Sequence, residues 1–205
     1  MFYEPEKRNH GLPHDPFKAL VAPRPIGWIS TRSADGRLNL APYSYFNALS
    51  DDPWLVAFAS GGQKDSMSFA AESGEFVVNI VTQKLMDAMV KTSVDAPRGS
   101  NEFSYAGLEP EQSTLVDAPR VKGIAAALEC KVTETIEPRL LNGSKSGIHL
   151  VIGEVVGIHV DEEMLTNGLF DYEKAGLVSR LGYLDYSIVG PTFQMRRPRW
   201  SAQEQ

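Results

Sequence analysis

The spacing of apolar and polar positions changes repeatedly between residues 23 and 66, and each change predicts an element. Gly27 to Arg32 (GWISTR) is β-branched and aromatic, Asp35-Gly36 is a turn pair, and Leu38 to Ala41 alternates apolar with polar. Together they read as a hairpin with a half-buried returning strand. Pro42 is expected to stop the pairing, which would leave the backbone N–H groups of Tyr43-Ser44-Tyr45-Phe46-Asn47 free for a ligand. Trp54 to Ala59 is a continuous apolar run of strand length, buried on both faces or closed into a barrel. Ser60-Gly61-Gly62 ends it, and Asp65 or Ser66 then caps a helix running to about Glu72, with Gly74 as its stop.

Beyond this stretch, Glu75 to Val81 returns as a strand, and Leu85, Met86, Met89 and Val90 stand at helical spacing within 83–93. Residues 95–114 are the longest polar, turn-rich stretch and read as a loop, with a lid over a ligand as one role. Two long strands follow, Ile124 to Ile136 and Gly147 to Val160. Gly153 and Gly157 interrupt the second, as at bends or bulges of a barrel. Asp161-Glu162-Glu163 starts a short helix, and Leu177 to Val189 completes the fold. Residues 1–22 form an arm whose Phe17, Leu20 and Val21 are expected to pack on the barrel mouth, and the arginine-rich end from Met195 reads as a solvated tail. Many strands with few helices predict a mainly β protein, a β-barrel carrying a few α-helices.

Composition narrows the function more than the fold. With 205 residues and 22.6 kDa, the chain fits one domain: an arm at 1–16, a barrel at about 17–190 and a tail at 191–205. A net charge of -6 argues against a general nucleic-acid binder. The single cysteine, Cys130, excludes an internal disulfide and any Cys-x-x-Cys pair, and its alternating surroundings make it structural. The charged N-terminus is no secretory signal and no apolar run is long enough for a membrane span, so a cytoplasmic location with no membrane contact is expected.

The candidate chemistry gathers in the opening stretch. Lys64 supplies positive charge, and Ser66 sits at a helix N-terminus, where backbone donors and the dipole favour an anion; the local sequence by itself favours a capped surface helix at Lys64-Asp65-Ser66 over an anion site. His149 lies inside an apolar strand, a setting usual for a satisfied core histidine. The other histidines lack metal-ligand spacing, no metal site is predicted, and neither a P-loop nor a GxGxxG fingerprint occurs.

The order of these segments carries a resemblance. PRPIGWIST, then DGRLNLAPYSYFN, DPWLVAF and KDS, followed by GEFVVN (74–79), HLVIGEV (149–155) and SRLGY (179–183), resemble the flavin reductase-like family over roughly residues 17–190. The chain departs from that pattern at Gly182-Tyr183, where many relatives have Gly-Gly. The resemblance implies an FMN-binding split barrel, a homodimer with flavin near its interface, and hydride transfer from NAD(P)H to FMN with a flavin or small-molecule acceptor beyond. It further implies FMN phosphate at Lys64, Asp65 and Ser66, with Ser60 counted in the same loop. Ser30, Thr31 and Asn39 would serve ribityl or phosphate oxygens, unless their polar groups merely face outward. The backbone of Ser44, Tyr45, Phe46 and Asn47, next to Tyr43, would read the polar edge of the ring. Trp28 either packs on the ring or belongs to the core. His149 would face the flavin and hold the nicotinamide, and Arg180 is either a surface ion-pair former or a pyrophosphate or flavin contact. Two rivals stand beside this reading: an FMN-binding electron-transfer or carrier protein that does not oxidise NAD(P)H, and a split barrel holding haem or another ligand.

Overall fold

The computed structural model describes residues 1–200. In chain order the strands are β1 (Arg24–Pro25), β2 (Gly27–Arg32), β3 (Leu38–Tyr43), β4 (Phe46–Asp51), β5 (Trp54–Gly61), β6 (Glu75–Ile80), β7 (Pro110–Glu111), β8 (Arg120–Val121), β9 (Ala126–Ile136), β10 (Ile148–Val160), β11 (Leu165–Thr166), β12 (Leu169–Phe170), β13 (Val178–Arg180) and β14 (Tyr186–Ile188). Five short α-helices accompany them: α1 (Phe17–Leu20), α2 (Asp65–Ser73), α3 (Met86–Lys91), α4 (Glu102–Ala106) and α5 (Tyr172–Ala175). Among the described residues no helix is long and apolar enough to cross a membrane.

Seven strands form one antiparallel sheet in the order β3-β2-β6-β9-β10-β5-β4, and β1-β13-β14 make a smaller sheet beside it. Its two edges, β3 and β4, are joined by only Ser44 and Tyr45, so the sheet must curl to bring them together. The Tyr45 carbonyl accepts from Ala59 N–H at 2.8 Å, and the Phe46 ring lies over Gly27, where a Cβ would come within 2.6 Å of Cγ. The result is a mainly β, curled half-barrel.

Here two expectations are corrected. Pro42 does not end the pairing: it stands opposite Trp28, and β3 continues to Tyr43. An edge strand tolerates proline because one side of its ladder needs no donor. Phe46 and Asn47 are likewise not free backbone leaving the sheet, since they pair with Phe58 and Ala57 of β5.

The two faces of the sheet hold two cores. Inside the curl, Ile29, Phe58, Phe76, Val78, Cys130 and Val151 pack with Met67 and Ala70 of α2. Burial pushes the Cys130 thiol up, as suits a structural cysteine. On the other face Trp28, Leu40, Val77, Met89 and Phe103 pack beneath α3, α4 and the segment before β9. That segment is anchored by Glu129, wholly buried, which accepts from Thr114 N–H at 2.7 Å and Leu115 N–H at 2.6 Å and pairs with His159.

The β9–β10 register shifts at Ile152/Gly153 and at Val155/Gly157, the positions of the two glycines. Gly153 is required sterically: a Cβ there would stand 2.5 Å from the Phe76 ring and 3.2 Å from Cys130 Cβ. Phe76 sits edge-on to Phe58 at 5.3 Å, and Phe58 meets Tyr43 at 4.9 Å, so the strain would travel along an aromatic row towards the mouth of the barrel. Gly153→Ala should destabilise by roughly 1–3 kcal/mol and lower Tm by about 2–4 °C for each of those. A thermal melt unchanged from wild type would contradict this.

The N-terminal arm differs from expectation. Phe17, Leu20 and Val21 are 58%, 75% and 49% exposed, so apolar packing does not hold them. Arg24 does: its buried guanidinium donates to the carbonyls of Lys18 at 2.5 Å, Leu181 at 2.8 Å and Val21. A helix of one turn leaves its carbonyls unpaired, and a single fork of donors satisfies them. The tail from Pro191 to Trp200 has no regular structure; the part of the expected tail at 201–205 lies outside the described residues.

Candidate functional site

The site is built where β5 hands over to α2. Lys64 is the N-cap of α2, with extended backbone, and no side chain caps the helix. The first intrahelical bond is Ser68 N–H to Lys64 carbonyl, so the first-turn amides have no helical partner. Asp65 does not act as a cap: its carboxylate accepts from Gly99 N–H at 2.5 Å and Arg98 Nε at 3.2 Å, which pins the 94–99 loop against the helix.

A cavity of about 280 Å³ opens at this helix start. Asn39 and Tyr43 of β3 form one wall, Lys64, Asp65 and Ser66 a second, and Thr92 to Ala96 with Arg98 a third, while Glu102 of α4 lies at the side. The loop expected as a possible lid does line the cavity, but residues 95–114 are not all loop. Asn101 caps α4 by accepting from Ser104 N–H, and the helix buries Phe103.

A line of buried polar groups crosses the floor. Ser66 Oγ donates to Asn39 Oδ1 at 2.5 Å, Asn39 Nδ2 donates to Glu102 Oε2 at 3.0 Å, and Leu40 N–H reaches the same oxygen at 3.1 Å. Burial raises the Glu102 carboxyl above its usual range, and hydrogen bonds from Leu40 and Asn39 offset only part of that. Burial likewise raises the Tyr43 phenol, against hydrogen bonds from Ser66 and Ser60. Lys64 is accessible: its side chain is 61% exposed and its ammonium lies 3.6 Å from the Asp95 carboxylate, an exposed pair that holds it weakly.

Of the residues expected in the site, Asn39, Tyr43, Lys64, Asp65 and Ser66 line this one cavity. Ser60 stands behind Tyr43 and donates to Gly62 carbonyl at 3.0 Å. His149 is half-buried directly across the β5–β10 ladder from Ser60, and its imidazole makes no hydrogen bond among the described residues. It is therefore near the cavity without lining it.

The remaining expected residues do not line this cavity. Trp28 is 0% exposed and its indole N–H donates to Thr92 Oγ1 at 2.8 Å, so no face of the ring is open to a flavin. Ser30 is also buried, donating to Pro119 carbonyl at 2.5 Å and accepting from Asn79. Thr31 is wholly buried, its hydroxyl without a partner among the described residues and away from the cavity lining. Ser44, Tyr45, Phe46 and Asn47 run along the sheet edge outside the cavity. Arg180 is spent on the carbonyls of Tyr183 at 2.5 Å and Asp185 at 3.3 Å, and lies 4.4 Å over the Tyr186 ring. At the departure from Gly-Gly, Tyr183 takes a left-handed φ of 54°, and Gly182 packs on Ala19 of α1. The close approach there is to the arm.

Several cavity residues were not found from the sequence, Arg98 and Glu102 among them. Arg98 and Glu102 lie in the stretch that reads as loop, and the one available signal was Asn101 preceding Glu102-Phe103, a helix-start pattern.

The flavin reductase like domain matches residues 20–176. An uncharacterized protein of Aquifex aeolicus is 37% identical over 169 residues, 80% of this chain and 83% of the relative. Among solved structures, nitrilotriacetate monooxygenase component B from Bacillus cereus superposes with a TM-score of 0.86 at 29% identity, covering 95% of this chain and 98% of that one. A split barrel domain protein from Shewanella frigidimarina superposes with a TM-score of 0.79 at 23% identity, covering 96% and 94%. The curled half-barrel is thus a split barrel, and the chain belongs to the flavin reductase-like family of flavin-related oxidoreductases.

Proposed function

We propose that this protein binds FMN with its phosphate at the start of α2 and passes hydride from NAD(P)H to the flavin. The observation that carries the reading is the uncapped N-terminus of α2, opening with Lys64 onto a polar cavity. Amides without a helical partner, the helix dipole and an accessible, weakly paired ammonium are the donor set that a phosphate monoester requires. Bound there, FMN would supply the redox chemistry, accepting hydride from NAD(P)H and yielding electrons to a flavin or small-molecule acceptor.

The chain's own contribution is binding and orientation. Lys64 and the first-turn amides of α2 hold the phosphate, while Asn39 and Ser66, locked to each other, present fixed polar groups beside it. A cavity of about 280 Å³ suits a phosphate and polyol chain, leaving the flat ring to the sheet edge at Ser44 to Asn47. His149, unpaired on the inner face of β10, positions the nicotinamide. A homodimer fits the same reading, since Leu49, Trp54 and Ile148 are 54%, 59% and 41% exposed along the β4–β5–β10 side and would be buried by a second copy.

The test is steady-state oxidation of NADH and NADPH with and without added FMN. Turnover that requires FMN supports the proposal. Tight FMN binding with slow turnover on both nicotinamides would favour the carrier reading, and no FMN binding would end both.

A further inference from the structure

Glu102 opens α4, is 6% exposed, and borders the same cavity as Lys64 and Ser66, yet phosphate binding as described makes no use of it. Its Oε2 accepts from Leu40 N–H and Asn39 Nδ2; apart from its own backbone N–H, the carboxyl has no further donor among the described residues. It therefore retains hydrogen-bonding capacity towards the cavity. A fully charged, buried carboxylate beside a phosphate dianion would repel it. A single proton held between them removes that repulsion. A phosphate monoester has its second ionisation near pH ~6, and burial moves the Glu102 carboxyl upward from its ordinary range towards it.

We propose that Glu102 and the ligand's phosphate share one proton, so that the cavity selects a terminal phosphate monoester and takes up a proton from solvent when it binds one above neutral pH. The inference rests on the FMN reading of the cavity. No covalent bond changes: a carboxylate, a phosphate dianion and one proton give a complex with two net negative charges in place of three. These face the first turn of α2 and Lys64.

The other charged and titratable groups around Glu102 do not supply this proton. From β3 comes Tyr43, whose phenol burial keeps protonated. From α2 come Lys64, beside Asp95, and Asp65, whose carboxylate is engaged by Gly99 N–H and Arg98. Arg98 bears a permanent charge. On α3, Met89 and Thr92 turn inward while Asp87 and Lys91 are exposed. The burial that raises the Glu102 carboxyl acts in the direction the shared proton needs.

The test is the pH dependence of FMN and riboflavin affinity, read by quenching of flavin fluorescence, in wild type and Glu102→Gln. Glutamine keeps an oxygen for Leu40 N–H and Asn39 and offers a permanent N–H donor in place of the shared proton. From about pH 6.5 to 8.5, wild-type affinity for FMN should fall about tenfold or more, since proton uptake costs up to a decade per pH unit above the phosphate ionisation. In Glu102→Gln it should change less than about twofold, and riboflavin should show no slope in either protein. Should the variant fold poorly, calorimetry on wild type in buffers of different ionisation enthalpy reads the same event: about one proton taken up per FMN near pH 7.5, and none per riboflavin. Equal slopes in wild type and variant, or FMN binding without proton uptake, would overturn the shared proton while leaving FMN binding standing. Absence of FMN binding at every pH would remove the underlying reading and this inference with it.

Discussion

Lys64→Ala should weaken FMN binding about ten- to a hundredfold and leave riboflavin affinity almost unchanged. The lysine occupies the N-cap position of α2 beside amides that no side chain among the described residues satisfies, and its side chain is 61% exposed, paired with Asp95 at 3.6 Å. An exposed pair of this kind contributes little to folding, so the substitution should hardly move the melting temperature. In the complex the same ammonium would meet a dianionic phosphate, and a charge-assisted hydrogen bond contributes roughly 1.5–3 kcal/mol, which sets the expected range of affinity. Riboflavin has the ring and the ribityl chain without the phosphate, so it separates loss of that contact from general damage. The measurement is a pair of titrations on each protein. Equal losses for FMN and riboflavin would take Lys64 out of the phosphate site.

His149→Ala should slow flavin reduction by NAD(P)H by up to about a hundredfold, because a small misplacement of the donor carbon is costly in rate. FMN affinity and oxygen-driven reoxidation should stay near wild type. The histidine faces inward on β10 opposite Ser60, whose hydroxyl donates to Gly62 carbonyl where β5 ends. A histidine satisfied inside the core would show partners for its ring nitrogens, and here none occurs among the described residues. Removing it should therefore cost little stability, since no buried partner loses its bond. Stopped-flow reduction beside a thermal melt distinguishes the roles. A lowered melting temperature with unchanged reduction rates would return His149 to the structural class.

Much of the scaffold was legible from adjacent residues. The hairpin around Asp35-Gly36, the helix ending at Gly74, and the breaks at Gly153 and Gly157 all follow from local rules: φ/ψ freedom, alternation, and the stops that glycine imposes. Pro42 misled because its meaning depends on strand position, and the edge position of β3 is a property of the whole sheet. Glu102 was missed for a related reason. Its helix has only five residues, and what holds it is the burial of Phe103 and the bonds to β3.

By itself the sequence determined where most strands and the helix after Lys64 lie, because those properties rest on neighbours within a turn or a pleat; that neither Asp65 nor Ser66 caps this helix was decided by the tertiary structure, where Asp65 is drawn to Gly99 and Arg98 and Ser66 to Asn39. Only the tertiary structure decided which polar groups are available to a ligand. Trp28 is sealed by Thr92, 64 positions away, and Asn39 is bound by Glu102, 63 positions away. Hydroxyl, amide and indole groups are locally equivalent as donors. Whether one is spent in the core or open to a cavity depends on contacts that form only when the sheet curls.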